Sequence, residues 1–407
     1  MGSGKTTYIV SEMNNNPDKR YIYVTPFLSE ASRIEDLCRE LWFKKPVNTI
    51  SKSVSFEELV RDGENIAMSH SLFSKSKISK TTLTKIREYG YNLVLDEELE
   101  VVEAIKITDH DTKILFNQNL ISTNESGMVK WEDDDYNGKF KEIKRMAESN
   151  SLYYFDKEKL MWILNTEMLR CFTSITVITY MYKTSMMWEY LDMSGFRHSF
   201  YYVSNGILKI GNQSHLEYLA KLKDLIDIYE GHLNKIGGNE TALSSTWYKK
   251  NKRTGKIKVL TDNAYNYFSR IVRATSSDDC FWCVFKDEMD KGVRSRDADN
   301  DTYRRVVPHY VLRELSSNAR ATNNYKNCHN IAFLCNSYIH PYQLRFFSKN
   351  GRKINVEAVV LARLVQWIWR SAIRENEPIK IYIPSSRMRR ILRDWLSNED
   401  RLMVQSA

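Results

Sequence analysis

The sequence predicts an α/β protein of two domains, each a mainly parallel sheet flanked by helices, with a helical subregion inserted in the first. Three observations predict it. A glycine-lysine loop, Gly2-Ser3-Gly4-Lys5-Thr6-Thr7, opens the chain; short β-branched runs alternate with amphipathic helices behind it; and one run, Tyr91-Asn-Leu-Val-Leu-Asp96-Glu97, closes on two carboxylates. Strands alternating with helical periodicity are the pattern of βα units in a parallel sheet.

The opening residues match the second half of the phosphate-binding pattern G-x-x-x-x-G-K-[ST], in which backbone N–H groups wrap phosphates, the lysine neutralises the β and γ oxygens and the next hydroxyl holds Mg²⁺. Gly2, Ser3, Gly4, Lys5, Thr6 and Thr7 would form that cradle, with Lys5 as the cation and Thr6 as a metal ligand. The helix that follows adds the positive end of its dipole. The first glycine of the full pattern and the strand feeding it would precede Met1, so the reading expects a chain started at an internal methionine or a shortened loop.

Composition sets the class. The chain has 407 residues, 42% hydrophobic and 27% charged, a globular balance with room for two or three domains. No apolar run approaches the ~18 residues of a membrane span and no secretory leader precedes the loop, so the expected compartment is the cytosol, with the six cysteines as free thiols. A net charge of +9 with 24 Tyr and 9 Trp suits a polyanionic partner.

In chain order, Arg20-Tyr-Ile-Tyr-Val-Thr-Pro26 reads as a buried strand ending at Thr25, and the segment from Ser29 as its helix. Ile66 to Phe73 is a further candidate strand. Asp96 and Glu97 take the form of a Walker B end, the first acid for the Mg²⁺ shell and the second for the attacking water. Residues from about 104 to 172 form the insertion, helical over roughly 138–172, with Glu132-Asp-Asp-Asp135 as a solvated loop. Phe172 to Tyr182 is the most β-prone stretch and leads to Lys183-Thr184-Ser185, with the first domain, 1–192, closing behind it.

The second domain, 193–407, opens with the Asn205-Gly206 hairpin signal and a helix from His215 to about Lys235, ended by Gly237-Gly238. Cys280-Phe-Trp-Cys283 has C-x-x-C spacing, yet Cys328 and Cys335 lie seven apart and the first pair falls in an apolar run, so the thiols read as packed and not as zinc ligands. Gln366-Trp-Ile-Trp-Arg370-Ser-Ala-Ile-Arg374 follows an aliphatic helical pattern from Val356. On one helix Gln366, Arg370 and Arg374 would share a face, from which arginines can reach a γ-phosphate.

In motif order the chain resembles the superfamily 2 helicases, and more closely a helicase-like ATPase of bacteriophages of Gram-positive hosts. Gly2 to Thr6 is similar to motif I, Thr25-Pro26 to Ia, Ser69-His70-Ser71 to the next strand-binding motif, Asp96-Glu97 to II, Thr179 to Ser185 to III, Ala319-Arg320-Ala-Thr322-Asn323 to V and Gln366 to Arg374 to VI. Tyr382-Ile-Pro-Ser-Ser-Arg-Met-Arg is a further specific feature of the phage relatives. The chain departs in lacking the front of motif I, in its Asp-Glu-Glu-Leu box and in a second motif VI arginine one residue late.

The resemblance implies two RecA-like domains that hydrolyse ATP with Mg²⁺. Lys5, Asp96, Glu97, Gln366, Arg370 and Arg374 would be catalytic, with Thr6 and Asp96 on the metal. Thr25, Pro26, Ser69, His70, Arg320, Thr322 and Asn323 would grip nucleic acid, and Thr179 and Thr184 couple hydrolysis to movement. It further implies DNA as the partner, phage replication or recombination as the setting, replication proteins as associates, no membrane, and the bacterial host cytoplasm. A competing reading is a nucleic-acid- or partner-binding protein with a lapsed ATP site. A genome-packaging motor would need a nuclease domain with clustered acids, which basic residues 375–407 do not offer.

Overall fold

The computed structural model describes residues 4–48, 51–76, 78–211, 216–252, 254–274, 276–285 and 325–397. Contacts divide the chain into an amino-terminal unit, 3–212 with 340–354, and a carboxyl-terminal unit holding 213–339 and 355–407. Gly2, Ser3, Arg320, Thr322 and Asn323 lie outside the described residues.

The amino-terminal unit is built on four parallel strands, β1 (Tyr21–Thr25), β2 (Ile66–Ser69), β3 (Asn92–Asp96) and, after five strands of an insertion, β9 (Ser174–Ile178), in the order β2-β1-β3-β9. All five residues of β1 are buried, as expected of a strand covered on both faces. Tyr21 and Tyr23 of β1 pack with Ala67 and Val94 against Val10 and Met13 of helix α1 (Lys5–Asn14) and Ala31 and Ile34 of α2 (Leu28–Leu37). Three more helices follow, α3 (Lys52–Arg61), α4 (His70–Lys75) and α5 (Lys80–Glu88), each capped by the serine before it.

The insertion is not the helical subregion the sequence suggested. It holds an antiparallel sheet of β4 (Val102–Ala104), β7 (Leu152–Phe155) and β8 (Lys159–Ile163) in the order β4-β8-β7 and a hairpin of β5 (Ile121–Thr123) and β6 (Val129–Trp131), with helices α6 (Asp109–Asn117), α7 (Lys141–Glu148) and α8 (Thr166–Leu169). The turn joining β7 to β8 carries Asp156 and Lys157, both left-handed at φ 56°, as tight hairpin turns require, but without the Asn-Gly or Asp-Gly pair that would announce it.

Beyond α9 (Met186–Met193), the Asn205-Gly206 turn does join a hairpin, β10 (Tyr201–Ser204) with β11 (Ile207–Ile210), at φ 51° and 75°. That hairpin belongs to the amino-terminal unit, with β10 against α1, so the units part near residue 212 and not at 192.

In the carboxyl-terminal unit, β12 (Ile226–Ile228), β13 (Cys280–Cys283), β14 (Asn330–Phe333) and β15 (Ile379–Tyr382) form a parallel sheet in the order β12-β15-β14-β13. The helix expected to run to Lys235 stops at Leu225 as α10 (Leu216–Leu225), because Ile226 to Ile228 pair with Ile379 to Ile381. Helices α11 (Ser245–Asn251) and α12 (Lys256–Asn266) cover one face, where Tyr248, Leu260 and Ala264 meet Cys280, Trp282 and Ala332.

Helix α13 (Pro341–Lys349) follows β14 in the chain but packs in the amino-terminal unit, where Arg345 and Lys349 pair with the nearly buried Asp156. On the other face of the carboxyl-terminal sheet lie α14 (Val356–Ile368) and α15 (Ser386–Leu396). Trp367 of α14 sits 4.8 Å from Phe281 and 5.1 Å from Phe333, and α15 packs on α14 and α10. No helix among the described residues is long and apolar enough to cross a membrane.

Candidate active site

Gly4 stands at φ 74°, a left-handed conformation that glycine adopts without a Cβ penalty, and its carbonyl accepts the first helical bond of α1 from Tyr8 N–H at 2.8 Å. The amides of Lys5, Thr6 and Thr7 therefore precede the helical ladder, at the end where an anion is favoured. Lys5 and Thr6 are half-buried and Thr7 exposed. Burial lowers the Lys5 pKa from its usual value, and the charge of Glu97 works against that shift. The loop lysine thus feels the second acid of a strand ninety residues on.

β3 ends at Asp96, which is 8% exposed. Burial, and next the negative charge of Glu97, push its carboxyl up to about 7, while Tyr23 and Arg33 offset part of the rise. Glu97 follows at φ 72°, left-handed without being glycine, at a cost of roughly 1–3 kcal/mol. Its amide donates to the Ile178 carbonyl at 3.0 Å, and Thr179 Oγ1 donates to its Oε2 at 2.8 Å. The backward twist turns Glu97 toward the end of β9 while Asp96 stays on the α1 face. On the other side, His70 Nε2 lies 2.9 Å from the Asp96 carbonyl oxygen.

Thr25 is fully buried, and its Oγ1 makes no hydrogen bond among the described residues. The β1–β3 register carries it alongside Asp96. It is therefore enclosed beside Asp96, on the same side of the sheet. The Ser69 hydroxyl caps α4, accepting from Leu72 N–H at 3.3 Å, and Pro26 is half-buried. Thr184 Oγ1 bonds the Met181 carbonyl at 2.8 Å within a short turn, so of the two expected coupling residues Thr179 is the one shown touching an acid. Tyr23 and Arg33, which act on Asp96, carried no signal in the sequence.

The arginine stripe is corrected. Helix α14 ends at Ile368, with Trp369 as its C-cap, so Gln366, Arg370 and Arg374 do not share one helical face. Trp367 is wedged between Phe281 and Phe333, and the amides of Arg370 and Ser371 close a turn onto Trp367 and Ile368. Ala372 N–H then reaches the Cys328 carbonyl at 3.0 Å, ahead of β14, which puts this turn at the amino edge of the sheet. Gln366 and Arg370 are buried, at 4% and 6% exposure, and Arg374 is exposed on the following short turn. Cys280, Cys283, Cys328 and Cys335 are buried, and burial raises the Cys280 pKa.

The residues at the carboxyl edge of the amino-terminal sheet fit a magnesium-bound nucleotide phosphate. Thr6, Asp96 and the unsatisfied Thr25 hydroxyl offer oxygen ligands only, which suits a hard cation, and a buried carboxyl held near neutrality gains from one. Among the described residues no group of three or more His, Cys, Asp or Glu is assembled to hold a metal by itself.

Residues 220–396 match the family described as the YonV C-terminal Rossmann-like domain, and residues 102–162 the YonV middle domain. The latter begins and ends with the β4-β8-β7 sheet. The SPbeta prophage-derived protein YonV of Bacillus subtilis (strain 168) is 33% identical over 98% of this chain and 97% of its own. Among solved structures, an XPD helicase is 13% identical, with a TM-score of 0.46 over 97% of this chain and 93% of its own. S. tokodaii Xpd4 is 11% identical, with a TM-score of 0.45 over 97% and 92%.

Proposed function

The chain belongs to the YonV family, and from the geometry at the ends of β3 and β9 we propose that it is a nucleic-acid-stimulated ATPase of the helicase or translocase type. The observation that carries this reading is the triangle of Lys5, Asp96 and Glu97: a helix-start lysine held in the field of a glutamate whose backbone is turned left-handed and whose side chain is fixed by Thr179. A buried acid coupled to a half-buried one beside a lysine at a helix start is an expensive arrangement, and such groups cluster at functional sites.

In this reading Lys5 and the first amides of α1 bind phosphate oxygens, Thr6 and Asp96 hold the cation, and Glu97 orients a water and takes its proton. Thr179 fixes the plane of the Glu97 carboxylate, and as the first residue after β9 it links that plane to the strand's position. Magnesium-bound ATP, when present, supplies the reacting phosphoanhydride and the cation that balances its charge. Nucleic acid, DNA foremost, is the partner, and the prophage origin of the relative supports a setting in phage replication or recombination. The basic balance of the chain supports phosphate-dominated contact, with little sequence preference and strong weakening by salt.

Steady-state ATP turnover of the full chain, with and without single-stranded DNA, tests the reading. Turnover stimulated by DNA and lost in Lys5→Ala supports it. Nucleotide binding without turnover in either condition overturns it in favour of a lapsed ATP site.

A further inference from the structure

The stretch Tyr382 to Arg389, distinctive in the sequence and absorbed by no role above, spans the end of β15 and the start of α15. β15 pairs with β12, and the chain leaves these neighbours toward opposite faces: to α11 and α12 after β12, and to α15 after β15. Neighbouring parallel strands with diverging exits leave a crevice at their carboxyl ends, where ligands of open α/β sheets sit. Here the loop after β12 wraps tightly over the turn after β15. A Cβ on Gly237 would lie 1.9 Å from the Pro384 carbonyl oxygen, so only glycine permits the approach.

Arg389 and Arg393, one turn apart on α15, converge in this crevice on one carboxylate. Arg389 Nε is 3.3 Å from Glu230 Oε1, and Arg393 contacts the same oxygen. Arg389 is oriented further by hydrogen bonds from its guanidinium to the carbonyls of Ile383 at 2.7 Å and Pro384 at 2.8 Å, and its side chain is 11% exposed. The other two arginines of α15 are engaged elsewhere: Arg387 bonds Asn336 and the Ser337 carbonyl and stacks on Tyr338, and Arg390 pairs with Glu357 and Asp394.

Two guanidinium groups on one half-exposed carboxylate leave an excess of one positive charge, and both lean on a single carboxylate oxygen. A phosphoester offers several oxygens and more charge, and arginine's planar fork matches it in paired hydrogen bonds. We propose that Arg389 and Arg393 form a phosphate-binding subsite at the carboxyl edge of the carboxyl-terminal sheet, in which Glu230 is the internal competitor that the phosphoester displaces. The subsite lies wholly within one unit and stands apart from the nucleotide reading of Lys5. Its phosphate comes from a nucleic-acid backbone or from a nucleotide.

The test uses the full chain without nucleoside triphosphate. Binding of a fluorescein-labelled single-stranded oligonucleotide, of ADP and of inorganic phosphate is measured across a salt series for the parent, Arg393→Ala and Glu230→Gln. The expected result is a response of opposite sign: Arg393→Ala weakens binding and lowers the salt slope by about one, while Glu230→Gln tightens binding. Arg393→Lys restores part of the slope. An effect on the oligonucleotide alone identifies a backbone phosphate, and one on ADP identifies a nucleotide. If both variants shift binding in the same direction, if neither shifts it, or if the parent binds none of the three probes, the subsite is overturned and the triad only holds the fold. ATP turnover, read separately, reports on Lys5 and not on this site.

Discussion

Thr179 Oγ1 donates to Glu97 Oε2 at 2.8 Å, tying the end of β9 to the residue that follows β3. The same two strand ends are joined through the backbone, Glu97 N–H to Ile178 O. Replacing Thr179 with valine keeps the volume and removes the donor. Turnover is expected to fall about tenfold with nucleotide affinity unchanged, since one hydrogen bond to a charged group is worth roughly 1.5–3 kcal/mol and Glu97 retains its backbone anchor. Thr179→Ser restores the rate. Steady-state kinetics with a separate nucleotide-binding measurement decides it.

Lys5→Ala and Glu97→Gln are expected to lower turnover by about a hundredfold or more, because each removes charge or proton transfer that develops in the reaction. Glu97→Gly abolishes turnover as well but relieves the left-handed backbone, so its melting temperature does not drop. A Glu97→Gly protein that melts well below the parent contradicts the strain assigned to this position.

Asp96 gives a pH dependence with a definite sign. Its carboxyl is raised from the ordinary 3.8 to about 7 in the fold, so between those values the folded state holds a proton that the unfolded state has lost. Stability then falls as pH rises from 4 to 7, by about 4 kcal/mol as an upper bound. Asp96→Asn removes that loss: it melts higher than the parent at pH 8, matches it near pH 4 and does not turn over ATP. Parent turnover rises through pH 7 as Asp96 ionises. Thermal melts at the two pH values and a pH–rate profile test both statements.

Arg370 and Arg374 separate by burial. Arg370→Ala empties a site only 6% exposed and is expected to destabilise the carboxyl-terminal unit by about 3 kcal/mol, whereas Arg374→Ala on the exposed turn leaves the unfolding free energy within about 0.5 kcal/mol of the parent. Loss of turnover in Arg374→Ala at full stability would assign that arginine to the reaction. Chemical denaturation alongside turnover distinguishes the two.

Gly237→Ala is expected to cost about 2–4 kcal/mol, since the backbone of two loops must part to admit a methyl group against the Pro384 carbonyl. Denaturant titration of the full chain measures it, and a midpoint equal to the parent's would contradict the close approach of Gly237 to Pro384.

Some of this was legible in the sequence because it rests on local chemistry. Glycine before lysine at a helix start, buried apolar runs such as Tyr21 to Thr25, the Asn205-Gly206 turn and the acid pair closing β3 each follow from the conformational and hydrophobic preferences of neighbouring residues. The Tyr382 to Arg389 stretch was visible only as a distinctive string.

Tertiary structure decided the rest. The left-handed twist of Glu97, the burial of Thr25, the end of α14 before Arg370 and the strand at Ile226 depend on partners far away in the chain: Ile178 and Thr179, Asp96, Phe281 and Phe333, and Ile379 to Ile381. The sequence by itself determined which residues carry charge and which strongly β-prone runs, such as Tyr21 to Thr25, enter a strand, because those properties are intrinsic to residues and their near neighbours. Which of the charges meet, and which helices stop early, only the packed fold decided, because burial and strand pairing between distant segments outweigh the fractions of a kcal/mol that local propensity contributes.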